Sequence, residues 1–151
     1  MVGNQSLEQI WKNPDCFRFT VLHHELPAVS GRRSHWDLLL ERPQEGLLTF
    51  EVPSPPSDWD NPILVQQLPV HRLLYLDYEG PVPGDRGHVT RVLDGFVCWQ
   101  ERSESRLRAT LHFTKVLAYA GHEPTMRSEL KITKMTDSSC DVRWELRLKF
   151  V

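Results

Sequence analysis

The chain has 151 residues, 40% of them apolar and 25% charged, which fits one folded globular domain spanning residues 1–151 and excludes a disordered or low-complexity protein. Its formal net charge is −2, so it is not built to coat nucleic acid by bulk charge, although a local pocket for one phosphate or one strand end is compatible with that balance. No apolar run approaches the ~20 residues of a membrane span, and Met1 to Gln5 lacks the basic start and apolar run of a signal peptide, so the expected location is cytoplasmic, with no membrane partner.

In chain order, Ser6-Leu7-Glu8-Gln9 reads as a capping box that opens a short N-terminal helix through Trp11, ended by Asn13-Pro14. From there the apolar period is two. Cys16 to Glu25 predicts a strand with Phe17, Phe19 and Val21 on one face; Ser34 to Arg42 predicts a second and Leu47 to Val52 a third. Pro53 to Pro62 is too rich in proline for anything but an irregular loop. Leu73 to Tyr78 predicts another strand, and Gly80 to Gly87 a breaker-rich turn. Asp94-Gly95 between His88–Leu93 and Phe96–Glu101 is a hairpin signal. Leu107 to Tyr119, Glu129 to Met135 and Val142 to Phe150 complete the set, the last with Val142, Trp144, Leu146, Leu148 and Phe150 on one face. Many short strands separated by turn signals predict a mostly β protein, a single antiparallel β-barrel. The cysteines, Cys16, Cys98 and Cys140, are odd in number and far apart, which predicts free thiols in a reducing compartment rather than a disulfide framework.

The segment that carries chemistry is His23-His24-Glu25 followed by Ser34-His35-Trp36-Asp37-Leu38-Leu39-Leu40-Glu41. Residues two apart on a strand share a face, so His35 and Asp37 project together while Trp36, Leu38 and Leu40 point the other way. A His and an Asp facing a His on a neighbouring strand make a three-ligand metal site with open positions, suited to Mn²⁺, Zn²⁺ or Fe²⁺. A His-x-Asp pair by itself is common on surfaces without a metal. Plain alternation puts His23 with Phe19 and Val21, and His24 with Leu22, and does not by itself choose between the two histidines. Further on, His71 and Tyr75 stand four apart before Tyr78-Glu79-Gly80.

Phe19-Thr20-Val21-Leu22-His23-His24, His35-Trp36-Asp37 with Leu40-Glu41, Val52-Pro53, His71 and Tyr75, Tyr78-Glu79-Gly80-Pro81-Val82-Pro83-Gly84, then Gly87, Val89 and Asp94-Gly95 occur in one order. In that order the chain resembles the 3′-phosphoesterase family of bacterial DNA ligase D over roughly residues 17 to 100. The resemblance implies a β-barrel that binds Mn²⁺ and trims 3′-phosphates and 3′-terminal ribonucleosides from DNA ends during repair. Its metal ligands fall on His24, His35 and Asp37. Its phosphate-contacting His and Tyr fall on His71 and Tyr75, which become the catalytic candidates. The ends of nucleic acids are the expected substrate, and a ligase or polymerase is an expected partner on a separate chain.

Three departures qualify the expected activity. The family's Arg two residues after the Asp is Leu39, its Lys after Val-Pro is Ser54, and a basic residue expected near Ile63 is missing. The loop between the metal histidines is longer, by Ala28 to Arg33, and Arg32 and Arg33 are candidates to contact phosphate in place of the lost guanidinium. The alternatives are a catalytically weakened barrel that keeps the fold and metal site and acts as a binding module, or a phosphoesterase for a small phosphorylated substrate.

Overall fold

A computed structural model describes residues 16–115, 127–136 and 142–150. The expected N-terminal helix, Cys140 and the end of the strand expected to run to Tyr119 lie outside those residues. Nine strands are present: β1 (Cys16–Glu25), β2 (His35–Arg42), β3 (Gly46–Val52), β4 (Ile63–His71), β5 (Gly80–Pro81), β6 (His88–Arg102), β7 (Arg106–Lys115), β8 (Arg127–Thr136) and β9 (Val142–Phe150). Eight of them form an antiparallel barrel in the order β1-β2-β3-β4-β9-β8-β7-β6, closed by pairing of β6 with β1. The two-residue β5 pairs with the first residues of β6, at Val89 and His88. Closure leaves no long open edge, the usual liability of a sheet. Among the described residues no helix is long and apolar enough to cross a membrane.

Alternation assigns the faces. Phe19 and Val21 on β1, Leu38 and Leu40 on β2, and Phe50 on β3 join Leu146 on β9 in one fully buried cluster that fills the barrel. Trp59 belongs to that cluster although it lies in the proline-rich loop. A 3₁₀ turn at Pro56–Asp58 delivers it inward, its Nε1 donates to the carbonyl of Ser54 at 2.9 Å, and its own carbonyl accepts from the Leu148 N–H at 2.7 Å.

A second, smaller apolar cluster lies on the outer face. Leu22, Leu39, Leu47 and Val89, which alternate with the interior residues, are covered by Leu76, with Tyr75, Tyr78 and Val82 packed around them. The segment between β4 and β6 therefore folds back over β1, β2 and β3. It is tied down by Arg18 on β1, whose guanidinium meets the Asp77 carboxylate at 2.5 and 3.1 Å. This second layer turns the outer face of the sheet into the wall of a cleft.

Four expectations are corrected. Asp94-Gly95 does not turn a hairpin: β6 runs unbroken from His88 to Arg102, and the register against β7 shifts between Asp94 and Gly95. A glycine inside a strand marks a bulge or a close approach. Here a Cβ on Gly95 would stand 1.9 Å from the carbonyl oxygen of His112 and 2.9 Å from the Phe19 ring. Gly95→Ala is accordingly expected to destabilise the fold by at least about 2 kcal/mol, read as a lower urea midpoint at unchanged slope. Leu73–Leu76 is a 3₁₀ turn, not a strand. Ile63–His71 is a strand that the pattern does not predict, because Gln66, Gln67 and Pro69 interrupt its alternation. Finally, Cys16 and Cys98 are not free thiols. They face each other in the β1–β6 register with Cα atoms 4.3 Å apart and form a disulfide that spans 82 residues of sequence.

Candidate metal centre

The first strand pair sets the geometry. In the β1–β2 register His24 faces His35 and Leu22 faces Asp37, while His23 faces Trp36. His24, His35 and Asp37 thus share the outer face, and the ring centroids of the two histidines are 4.8 Å apart. His23 lies on the other side, stacked on Trp36 at 4.6 Å. On this geometry His24→Ala should weaken Mn²⁺ binding severely while His23→Ala leaves it within about threefold of wild type, a comparison that calorimetric titration of the two variants decides.

The three candidate ligands offer atoms that all lie within 4.8 Å of one another. His24 Nδ1 is 3.4 Å from Asp37 Oδ2, and His35 Nε2 is 3.1 Å from Asp37 Oδ1. Bonds of about 2.1 Å at tetrahedral or octahedral angles separate ligand atoms by about 3.0–3.4 Å; the two nitrogen–carboxylate contacts have that spacing, each to a different oxygen of Asp37, and the group as a whole spans up to 4.8 Å. The side chains of His35 and Asp37 are almost completely buried.

The far nitrogens of both rings are committed. His24 Nε2 lies 2.6 Å from the carbonyl oxygen of Arg86, and His35 Nδ1 lies 3.2 Å from the carbonyl oxygen of Arg33. A carbonyl only accepts, so both of these nitrogens carry the hydrogen. In neutral rings His24 Nδ1 and His35 Nε2 then turn lone pairs toward a carboxylate. Asp37 Oδ1, shielded from water, accepts no well-formed hydrogen bond. Two imidazole lone pairs and a carboxylate converging on one point repel one another unless a cation lies among them. Anchored far nitrogens are also how proteins orient histidine ligands to a metal. The residues present fit a divalent metal.

The electrostatics agree. Burial pushes the His35 pKa down, but contact with Asp37, helped by the Arg33 carbonyl and the Glu51 carboxylate, more than reverses it, so the ring is more basic than an ordinary histidine. Burial pushes the Asp37 carboxyl up, and the two imidazoles overcome that, holding it below the usual carboxylate range. Both shifts say that the pocket calls for positive charge beside Asp37. A metal, or a proton on His35, supplies it.

The other predicted residues fall as follows. His71 and Tyr75 line the same cleft of about 470 Å³ as His24, His35 and Asp37. Their rings meet edge to face at 5.7 Å, and His71 Nδ1 lies 2.8 Å from the Pro69 carbonyl oxygen, which leaves Nε2 as the nitrogen free for a ligand. Arg32 lines the cleft, but its guanidinium is 3.5 Å from Glu51. The Arg33 side chain is not part of the lining; that residue contributes its carbonyl to His35. Leu39 is also outside the lining, completely buried in the second apolar cluster.

Two participants escape the sequence reading. Glu51 faces Asp37 across the β2–β3 register, and its Oε1 is 3.2 Å from His35 Nδ1. Its signal is parity, since it alternates with Leu47 and Thr49 on the outer face of β3. Arg86, whose carbonyl holds His24, lies in a turn with no period to read. No known family model matches this chain, and no curated protein is significantly similar to it.

Proposed function

We propose that the chain is a metal-dependent phosphoesterase-like protein that acts on the 3′ ends of nucleic acid, with Mn²⁺ as the favoured ion and Zn²⁺ or Fe²⁺ as alternatives. The observation that carries the reading is that His71 and Tyr75, far from the His-x-Asp pair in sequence, line the same cleft as His24, His35 and Asp37. A bare metal site needs no such companions, whereas hydrolysis of a phosphate ester does.

A divalent ion held by His24, His35 and Asp37 supplies Lewis-acid polarisation of a phosphoryl oxygen and a more acidic bound water. The chain's own groups do the rest. His71, oriented by the Pro69 carbonyl, presents Nε2 to the phosphate and in its protonated form is the general acid for the leaving oxygen. The Tyr75 hydroxyl donates a hydrogen bond to a phosphoryl oxygen. Glu51 and the Arg33 carbonyl hold the His35 ring. Leu22, Val82 and Val89 give the cleft an apolar wall, which limits water and strengthens these contacts.

A cleft of about 470 Å³ accommodates a terminal nucleotide and not a duplex, which fits an enzyme of ends. The burial of Leu39 favours a second reading, a weakened enzyme that retains the barrel and metal site as an end-binding module. The test is a primer–template bearing a 3′-phosphate, or a terminal 3′-ribonucleotide, incubated with the protein and Mn²⁺. Release of phosphate or ribonucleoside that is abolished by chelator and by His71→Ala supports the enzyme. Absence of product together with Mn²⁺-dependent retention of the primer supports the binding module.

A further inference from the structure

The cleft carries more positive charge than its metal ligands explain. Arg32, Arg72 and Arg86 all line it. Arg32 is neutralised by Glu51. Arg72 and Arg86 form no ion pair with any described residue. Two exposed arginines without an ion-pair partner among the described residues, lining the same cleft as the Asp-His-His group in a chain whose net charge is −2, are a local concentration of cation.

Arg86 is held in place on two sides. Its carbonyl accepts the Nε2–H of His24, and its Nε donates to the Pro83 carbonyl at 2.7 Å. Asp85 and Gly87 beside it have φ of 54° and 90°, and a Cβ on Gly87 would stand 2.0 Å from the Glu25 carbonyl oxygen, so the turn sits directly against the end of β1. Anchored at Nε, the guanidinium keeps both terminal amino groups for a ligand, and that fork matches the geometry of two oxygens on one phosphorus. Arg72 stands between His71 and the 3₁₀ turn that carries Tyr75.

We infer that Arg86 and Arg72 form an oxyanion clamp for a dianionic phosphomonoester group, doing in this chain the work that the ligase D resemblance assigns to the position of Leu39. The inference rests on the proposed function for the site of the reacting phosphoryl group. Two cations with no ion-pair partner among the described residues favour a terminal phosphate with two charges over a phosphodiester with one.

The probe is inorganic phosphate, with dimethyl phosphate as the singly charged comparison, titrated calorimetrically into the Mn²⁺-loaded protein; Mn²⁺ affinity is measured separately. Wild type should bind phosphate more tightly than dimethyl phosphate. Arg86→Gln and Arg72→Gln should each weaken phosphate binding about 10- to 100-fold, the worth of a charge-assisted hydrogen bond, and Arg72→Gln should do so with Mn²⁺ affinity unchanged. Arg86→Lys keeps the charge without the fork and should fall between Arg86→Gln and wild type; it also decides the matter if Arg86→Gln does not fold. Lys131→Gln removes one positive charge from an exposed position on β8 outside the lining and should change affinity by less than about threefold, because solvent and salt screen it. The clamp is overturned if wild type does not bind phosphate, if Arg86→Gln and Arg72→Gln bind it as wild type does, or if Lys131→Gln loses as much as they do. Should wild type fail to bind Mn²⁺ yet bind phosphate in an Arg86-dependent way, the clamp stands and the metal-dependent function falls.

Discussion

His35→Ala and Asp37→Ala should each reduce Mn²⁺ affinity by at least about 100-fold, since each removes a proposed direct ligand and loss of a mere supporting partner already costs 10- to 100-fold. The two variants should differ in metal-free stability. His35→Ala leaves a buried carboxylate facing one imidazole instead of two, and a buried charge stripped of a partner costs about 3 kcal/mol or more. Asp37→Ala instead removes the buried charge itself and leaves two imidazoles that can each stay neutral, so its cost should be smaller. Calorimetric titration gives the affinities and urea denaturation without metal gives the stabilities. Equal Mn²⁺ affinity in wild type and both variants would remove the metal centre. Equal stabilities would mean that the Asp37 carboxylate does not depend on His35.

Much of the barrel is legible in the period-two pattern. The strand expected at Cys16–Glu25 agrees end to end, and those at β2, β3, β8 and β9 agree to within two residues. What failed depends on the third dimension. β4 pairs with β9 only over Ile63–Val65, so little of it is buried and Gln66 and Gln67 carry no apolar signal. Asp94-Gly95 has the composition of a turn because Gly95 must let His112 approach, a demand that arises only once β7 lies alongside. The Cys16–Cys98 pair is visible only through the β1–β6 register. At the site, parity correctly grouped His24 with Leu22, and His35 with Asp37. It could not say that this outer face is covered, because the cover comes from residues 72–87. One signal did exist: Leu38-Leu39-Leu40 is apolar on both faces, as a strand buried on both sides must be.

Leu39→Arg is the substitution on which the resemblance and the structure part company. By family pattern it restores a guanidinium beside the metal ligands and should raise phosphoesterase activity, since residue 39 shares a strand face with residues 35 and 37. The structure places Leu39 at 0% exposure among Leu22, Leu47, Leu76 and Val89, outside the lining of the cleft. An arginine there forfeits the burial of a leucine, about 2 kcal/mol, and sets a charge among apolar groups. The expected result is a loss of about 3–5 kcal/mol in folding stability and no gain in turnover. Leu39→Met separates shape from charge: nearly the same volume without the cation should cost less than about 1.5 kcal/mol. Denaturation of the three proteins, with hydrolysis of a 3′-phosphate primer in Mn²⁺, decides it. If Leu39→Arg is as stable as wild type and turns over faster, its guanidinium reaches the cleft, the cover of residues 72–87 yields to it, and the division of labour assigned to Arg72 and Arg86 is wrong. If it is unstable while Leu39→Met is not, position 39 belongs to the apolar seal, and a phosphate in the cleft would have to be held from the loops, as proposed for Arg72 and Arg86.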